Sequence, residues 1–397
     1  MKVLMLTPYL PYPLLSGGQT RSYNLIKNLS DKHEITLFSL IKKEGERQHI
    51  SQLEKFCKKV SVFKRSETPW TFRNIALTGF GAYPFLVMRN LVQEERAAVR
   101  EELGKEKFDL IHAETFYVMP HIPKTKVPIL LVEQTVEYLV YKHYVEERAR
   151  ILLRPFMWVD LLKLKYWETY FWRQAKKVVA MSNSDMRAME SLSSGLDINV
   201  VPNGIDVKYF SQKARKSSDK LRILYVGNFS WLQNIEAVEI LVNVVWPEIK
   251  KRIPKATLWV VGMNMTDEIR SLGKRADIEI NEGIPDIRDA YNNADILVTP
   301  IEGPGGTRLK ILEAMASGLP VVTTPVGAEG LGVKDGKEVI IKKNYKDMAK
   351  AVIEVLNSPP LATKLGGEAK KFVERNYSWV KNAELLDKIY REVVYVE

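Results

Sequence analysis

Residues 299–331 read TPIEGPGGTRLKILEAMASGLPVVTTPVGAEGL. The apolar run ADILVTP (294–300) leads in and ends at Pro300, and a glycine-rich loop, EGPGG (302–306), follows. A helical pattern then begins near Thr307 and runs to Ser317, with Gly318 as its stop and Pro320 beyond it. A second apolar run, LPVVTTPVG (319–327), comes next. A strand, a glycine loop, a helix and another strand make up the repeating unit of a parallel sheet with right-handed crossovers.

The same unit recurs in both directions along the chain. Downstream of residue 220 the runs LRILYVGN (221–228), ATLWVVG (256–262) and ADIEINEG (276–283) precede the opening stretch. They are rich in Val, Ile and Leu, as strands buried on both faces must be. Three of the runs in this half end in Gly227, Gly262 and Gly327, where a glycine lets the backbone turn tightly and a ligand approach closely. The first half repeats the pattern with KVLMLT (2–7), EITLFSL (34–40), KVSVFK (59–64), DLIHAE (109–114), PILLVE (128–133) and KVVAMS (177–182). Between the halves lies VPNGIDVKYFSQKARKSSDK (201–220), a Pro-Asn-Gly turn followed by a polar, basic stretch. The expectation is two tandem doubly wound α/β domains, 1–203 and 204–375, facing a cleft. The amphipathic helix in 376–397 packs back on the first domain, with Trp379, Leu385, Leu386 and Tyr390 buried. Ligands of such sheets bind outside the carboxyl ends of the strands and in clefts between domains.

The charges of the opening stretch suggest which ligand. Arg308 and Lys310 place two cations where the helix dipole already favours negative charge, so they suit a bound anion better than a bare helix. The loop glycines Gly305 and Gly306 leave backbone N–H groups to point at that anion, and Thr307 adds a hydroxyl. Lys310 and Glu313 are three residues apart and project from similar faces, with Leu309, Leu312 and Ala316 toward the core. A nucleoside diphosphate fits, its phosphates on Arg308 and Lys310 and its ribose on Glu313. The alternative is a helix with an accidental surface charge pattern after a flexible loop.

With these residues in view, the chain resembles the family 4 glycosyltransferases of the GT-B fold, in which two Rossmann-like domains face a cleft. The resemblance covers nearly the whole length. It rests on LTPYLPYPLLSGGQTRSYNLIKNLSDKHEITLFSL (6–40), AKKVVAMSNSDMRAM (175–189), VVPNGIDVKYF (200–210), LYVGNFSWLQNIEAVEIL (224–241) and, most specifically, EAMASGLPVV (313–322). The resemblance implies a retaining, metal-independent transfer with no cofactor beyond the nucleotide-sugar donor, catalysed around Arg308, Lys310 and Glu313. It implies that Gly17 and Gly18 lie near the donor phosphates or the acceptor, and a nucleobase beside Gly283, Ile284 and Pro285; Gly227, Asn228, Gly262 and Glu302 are further candidates for donor contacts. Two departures stand out. Many relatives carry a second glutamate eight residues before the ribose-binding one, where Gly305 stands here, with Glu302 eleven before. Many also carry a basic residue after the glycine of YVG, where Asn228 and Phe229 stand. The variant GGTRLKILEAMA with GNFSW is similar to a branch associated with polysaccharide and cell-surface glycan synthesis. Relatives often place a histidine near the reacting sugar; Glu133 occupies that neighbourhood here, and His112 is the other candidate on the sugar side.

Composition bounds the partners. Of 397 residues, 59 are basic and 48 acidic, a formal charge of +11 that draws the protein toward anions. That charge is spread along the chain, which disfavours a nucleic-acid partner. The single cysteine, Cys57, excludes an internal disulfide or a cysteine-rich metal site, and low cysteine use fits the cytoplasm. The N-terminal MKVLMLTPYLPYP is too short in apolar residues for a signal-peptide core, and no apolar run of about 18 residues occurs. The stretch ILLRPFMWVDLLKLKYWETYFWRQAKK (151–177) is aromatic and basic. It suits an acidic membrane surface, at the inner face of the cell membrane, with a lipid-linked acceptor; the alternative keeps Trp158, Trp167 and Phe171 inside a domain. The functional expectation is transfer of a hexose-type sugar to a glycan or lipid-linked acceptor. A nucleotide-sugar epimerase of the same architecture and a non-catalytic nucleotide or glycan binder are the competing classes.

Overall fold

The computed structural model describes residues 1–212, 220–303 and 308–395. The chain divides into two compact units, Met1–Asn203 with Trp379–Glu397 as unit 1 and Gly204–Ser378 as unit 2.

Unit 1 holds a seven-stranded sheet in the order β3-β2-β1-β4-β5-β6-β7, every neighbouring pair parallel. The strands are β1 (Lys2–Thr7), β2 (Glu34–Ile41), β3 (Lys59–Lys64), β4 (Leu110–Glu114), β5 (Ile129–Val132), β6 (Lys177–Ala180) and β7 (Ile198–Val200). Alternate residues of β1 serve opposite faces: Val3 and Met5 join one apolar cluster, Leu4 and Leu6 the other. This two-sided burial explains the continuous apolar reading of these runs. The helices that matter below are α1 (Gly17–Leu29), α2 (Phe72–Phe80), α3 (Glu137–Glu147) and α4 (Arg154–Gln174).

Unit 2 holds a six-stranded parallel sheet in the order β10-β9-β8-β11-β12-β13. Its strands are β8 (Leu221–Asn228), β9 (Ala256–Met263), β10 (Ile278–Glu282), β11 (Ile296–Thr299), β12 (Val321–Thr323) and β13 (Ile340–Ile341). Two of its helices are used below, α5 (Leu232–Ile240) and α6 (Leu309–Ala316). A final helix, α7 (Trp379–Tyr395), returns to unit 1 and buries Trp379, Leu386, Ile389 and Tyr390 against the β1–β2 face.

Several expectations need correction. Leu385 is exposed, because the buried stripe of α7 passes through Leu386 instead. The opening helix is shorter than its pattern: α6 starts at Leu309 and ends at Ala316, so Arg308 occupies the cap position and only Lys310 sits in the first turn. Gly327 does not end a strand. β12 stops at Thr323, and Gly327 lies in the one-turn helix Pro325–Ala328, where a Cβ would overlap Thr323. The strands Ile198–Val200 and Ile340–Ile341 escaped the sequence reading; three and two residues are too few to show a period. Part of the expected linker, 213–219, lies outside the described residues.

Candidate functional site

The strand orders locate the crevices. In unit 2 the chain runs outward from β8 to β10, then restarts at β11 on the other side of β8, so the topological switch lies between β8 and β11. In unit 1 it lies between β1 and β4. Ligands of open parallel sheets bind past the carboxyl ends of the strands at such points.

At the unit 2 switch, α6 follows β11 and aims its first turn at the end of β8. Lys310 donates from Nζ to Asn234 Oδ1 at 2.5 Å and to the Tyr225 hydroxyl at 3.2 Å, and sits 4.5 Å over the Tyr225 ring. Tyr225 in turn donates to Asn234 Oδ1 at 2.9 Å. Asn234, on α5, is fixed from its other end, donating from Nδ2 to the Asn228 carbonyl at 2.7 Å. Asn228 Oδ1 accepts from Ser230 N–H and Asn264 Nδ2, both at 3.0 Å, shaping the turn after β8. Both partners of Lys310 are neutral. Burial, and then the nearby Arg308 charge, push the Lys310 ammonium down to about 7, against a smaller upward pull from Glu313.

Glu313 lies one turn further along α6. Its Oε2 accepts from the Tyr291 hydroxyl at 2.6 Å. Burial raises the pKa of its carboxyl, while Tyr291 and Lys310 oppose the rise. Arg308 is buried and donates from Nη2 to the Gly303 carbonyl at 2.7 Å, so the guanidinium ties together the two ends of the glycine-rich loop. Gly305, Gly306 and Thr307 lie outside the described residues.

The remaining donor-side candidates are placed as follows. A Cβ on Gly227 would come within 3.1 Å of Asn234 and Tyr225, the two groups that hold Lys310. A Cβ on Gly262 would overlap the Gly227 carbonyl and the Phe229 ring, so the glycine lets β8 and β9 pack. Gly283 turns the chain in the left-handed region, φ +72°, and Ile284 packs against the apolar cluster beneath it. Glu302 is exposed and accepts from the Tyr345 hydroxyl at 3.1 Å.

The unit 1 switch is filled by its own side chains. Gly17 and Gly18 open α1, and Ser16 caps it, accepting from Gln19 N–H at 3.3 Å. A Cβ on Gly18 would overlap Tyr9 and Gln134. Gln134 donates to Tyr9 and, at 2.8 Å, to Glu114 Oε2. Glu114 is fully buried. Burial pushes its pKa up, but His112, Arg21 and Gln134 together hold it below the usual carboxylate range. His112 is fully buried beside it, its Nε2 3.4 Å from Glu114 Oε1 and its Nδ1 2.5 Å from the Tyr390 hydroxyl of α7. Arg21 is completely enclosed and donates to the Pro202 carbonyl at 3.0 Å and Asn203 Oδ1 at 3.1 Å. Glu133, past the end of β5, is buried and accepts from Trp172 Nε1 at 2.9 Å and Phe116 N–H at 3.1 Å. Burial, and then the neighbouring Glu168, hold its pKa well above the ordinary carboxyl value.

Sequence reasoning missed Tyr225, Asn234 and Tyr291 in unit 2 and Tyr9, Arg21, Glu114 and Gln134 in unit 1. Tyr225 and Tyr291 are buried aromatics, which nothing local in the sequence marks as site residues. Asn234 had one visible signal: it falls in the segment where a basic residue was expected and is absent. Among the described residues no group of three or more His, Cys, Asp or Glu side chains is placed to hold a metal ion, and no helix is long and apolar enough to cross a membrane.

Comparison with known proteins follows the division into units. Residues 15–209 match the family described as Glycosyltransferase Family 4, and residues 220–358 the family described as Glycosyl transferases group 1. An uncharacterized 44.6 kDa protein in the cps region of Klebsiella pneumoniae is 21% identical over 98% of this chain and 99% of its own. Sucrose-phosphate synthase from Thermosynechococcus elongatus superposes with a TM-score of 0.75 at 18% identity, covering 100% of each chain. HepE of Anabaena, solved in complex with UDP, superposes with a TM-score of 0.67 at 15% identity over 98% of this chain and 99% of its own.

Proposed function

The chain belongs to the family 4 and group 1 glycosyltransferases of the GT-B fold, and from that premise we propose that it moves a hexose-type sugar from a nucleoside diphosphate sugar to a glycan or lipid-linked acceptor, with retention of anomeric configuration and without a metal ion or other cofactor. One observation carries the donor half of this reading. Arg308 and Lys310 are brought together at the switch point of unit 2, and the charge of one depresses the protonation of the other. Two neighbouring cations largely removed from water favour an anion between them. A diphosphate supplies that charge, and Glu313, whose Oε1 makes no hydrogen bond among the described residues, is placed one turn away to accept from ribose hydroxyls.

The chemistry follows from where charge develops. As the anomeric bond breaks, negative charge grows on the leaving phosphate and positive charge on the sugar ring. Cations already in place stabilise that state more than the ground state. Lys310 is preorganised for this by Asn234 and Tyr225. No covalent nucleophile is required if the acceptor attacks the face the phosphate leaves and the phosphate takes the acceptor's proton. The solved complex of HepE makes UDP the first nucleotide to test. The net charge of +11 suits work in the cytoplasm at an acidic inner membrane face.

A thermal-shift series with UDP, GDP, ADP, CMP and TDP tests the reading, since a ligand of the native state raises the melting temperature. One nucleoside diphosphate should shift the wild type. Lys310→Ala should abolish that shift and lower transfer at least about tenfold. If no nucleotide moves the wild-type melting temperature, the donor assignment falls.

A further inference from the structure

We propose that α2 and α4 of unit 1 form a docking surface for a membrane rich in anionic lipid, with their outward apolar side chains entering the interface. The inference deepens, and for its location rests on, the reading of a membrane-apposed transferase.

α4 has two faces. Asp160, Leu161, Leu164, Glu168, Phe171 and Trp172 point inward. Phe156, Val159, Leu162, Tyr166 and Tyr170 point outward, with Phe156 76% exposed. The short turn before α4 adds Ile151 and Leu152, at 79% and 87%. α2 is more open still: Phe72 is 87% exposed and Phe80 98%. The two helices are joined. Lys163 on α4 donates to the carbonyls of Thr78 and Gly81, each at 2.7 Å, and Trp167 Nε1 donates to the Ala82 carbonyl at 2.8 Å. Their apolar side chains therefore belong to one surface, larger than the scattered exposed hydrophobics of an ordinary soluble face.

Charge chooses the occupant. The two acids of α4 are both buried and spent inside the unit: Asp160 accepts from Phe85 N–H at 2.9 Å, and Glu168 accepts from the N–H groups of Glu137 and Tyr138 that open α3, at 2.7 and 2.9 Å. What α4 turns outward is Lys165 and Arg173, with Arg150 just before it, and the one charge of α2 is Arg73. An aromatic and aliphatic surface whose own helices expose cations alone matches an anionic interface: the apolar side chains enter it and the cations meet the headgroups. A second copy of the chain on the same surface would set these cations against each other.

Flotation with vesicles decides it. Wild-type protein should float with phosphatidylcholine vesicles containing phosphatidylglycerol at low salt, should float poorly with phosphatidylcholine alone, and should be released by high salt. Phe80→Glu combined with Phe156→Glu should lower the partition coefficient by at least roughly tenfold. These side chains are exposed, so the melting temperature and its shift by UDP should stay at the wild-type values, which separates this test from that of the donor site. Three results overturn the proposal: no flotation of wild-type protein with the anionic vesicles at low salt, unchanged flotation of the double variant, or a concentration-dependent dimer in sedimentation that the double variant abolishes. A failure to float beside an intact nucleotide shift would sink the surface and leave the transferase reading standing.

Discussion

The two units carry the same device at the same topological position and finish it in opposite ways. In unit 1 a glycine pair opens α1 at the β1–β4 switch, and the helix start is capped from within by Ser16. The space around it is taken by Tyr9, Gln134 and Glu114, with His112 and Arg21 behind them, acids and bases in one buried set. In unit 2 a glycine-rich loop opens α6 at the β8–β11 switch, but the cap position holds Arg308, which offers no side-chain acceptor, and the first turn holds Lys310 bonded to neutral partners. A helix start already favours negative charge, so capping it with a hydroxyl closes it and crowning it with cations leaves it asking for an anion. Topology sets where a ligand site falls in such sheets; at the start of α1 the unit's own side chains converge, and at the start of α6 the proposed diphosphate would meet cations.

The comparison can be broken at several points. The largest effect is expected at Glu313. Glu313→Ala should reduce transfer at least about tenfold with the fold intact, and steady-state kinetics with circular dichroism check both halves; a variant as active as wild type would leave unit 2 without its ribose contact. Next come the glycines. Gly18→Ala pushes a methyl group into Tyr9 and Gln134 and should cost about 1–3 kcal/mol of unfolding free energy in urea. Gly227→Ala presses instead on the groups holding Lys310, so it should raise the donor KM more than it lowers stability. Equal stability losses with an unchanged KM would erase the distinction between a filled and an open switch.

Two pH measurements sharpen the contrast. Lys310 sits at about 7, so its positive charge fades as pH rises through that value, and donor KM should climb between pH 7 and 9. Lys310→Arg keeps the charge throughout and should flatten the climb; a flat wild-type profile would remove Lys310 as the titrating cation. In unit 1 the buried acids behave differently. Burial raises Glu95 to about 8, and it lies 3.3 Å from His121, which burial pushes down to about 4. At neutral pH this pair is uncharged rather than an ion pair. A carboxyl raised in the folded state adds stability that is full below its unfolded value and is lost as pH rises through its folded one. Unit 1 should therefore weaken between pH 4.5 and 8. Glu95→Gln should remove part of that slope, gaining on the order of 1 kcal/mol at pH 8 by denaturant titration.

Fold and site were legible to different depths. Runs such as KVLMLT and LRILYVGN announced buried parallel strands because burial on both faces leaves no polar positions to obscure them. The pairing of Lys310 with Glu313 on one helix face was readable from a spacing of three. Their partners were not. Asn234 and Tyr291 reach α6 from segments 76 and 22 residues away in sequence, and no local period connects them. Glu133 and His112 could be placed near strand ends, but not their commitment to Trp172 and to Tyr390.

What the sequence determined by itself was local: strand and helix alternation, glycines at the turns, cations and a carboxylate on one helical face. These follow from periodicity and backbone sterics, which act over a few residues. Only the tertiary structure decided which charges survive folding as exposed or active groups. It buried both acids of α4 and left that helix's outward charge positive. It pressed Arg308 toward Lys310, and it closed the switch of unit 1 with that unit's own side chains. Those outcomes depend on desolvation and on neighbours far apart in the chain, and both exist only once the sheets have formed.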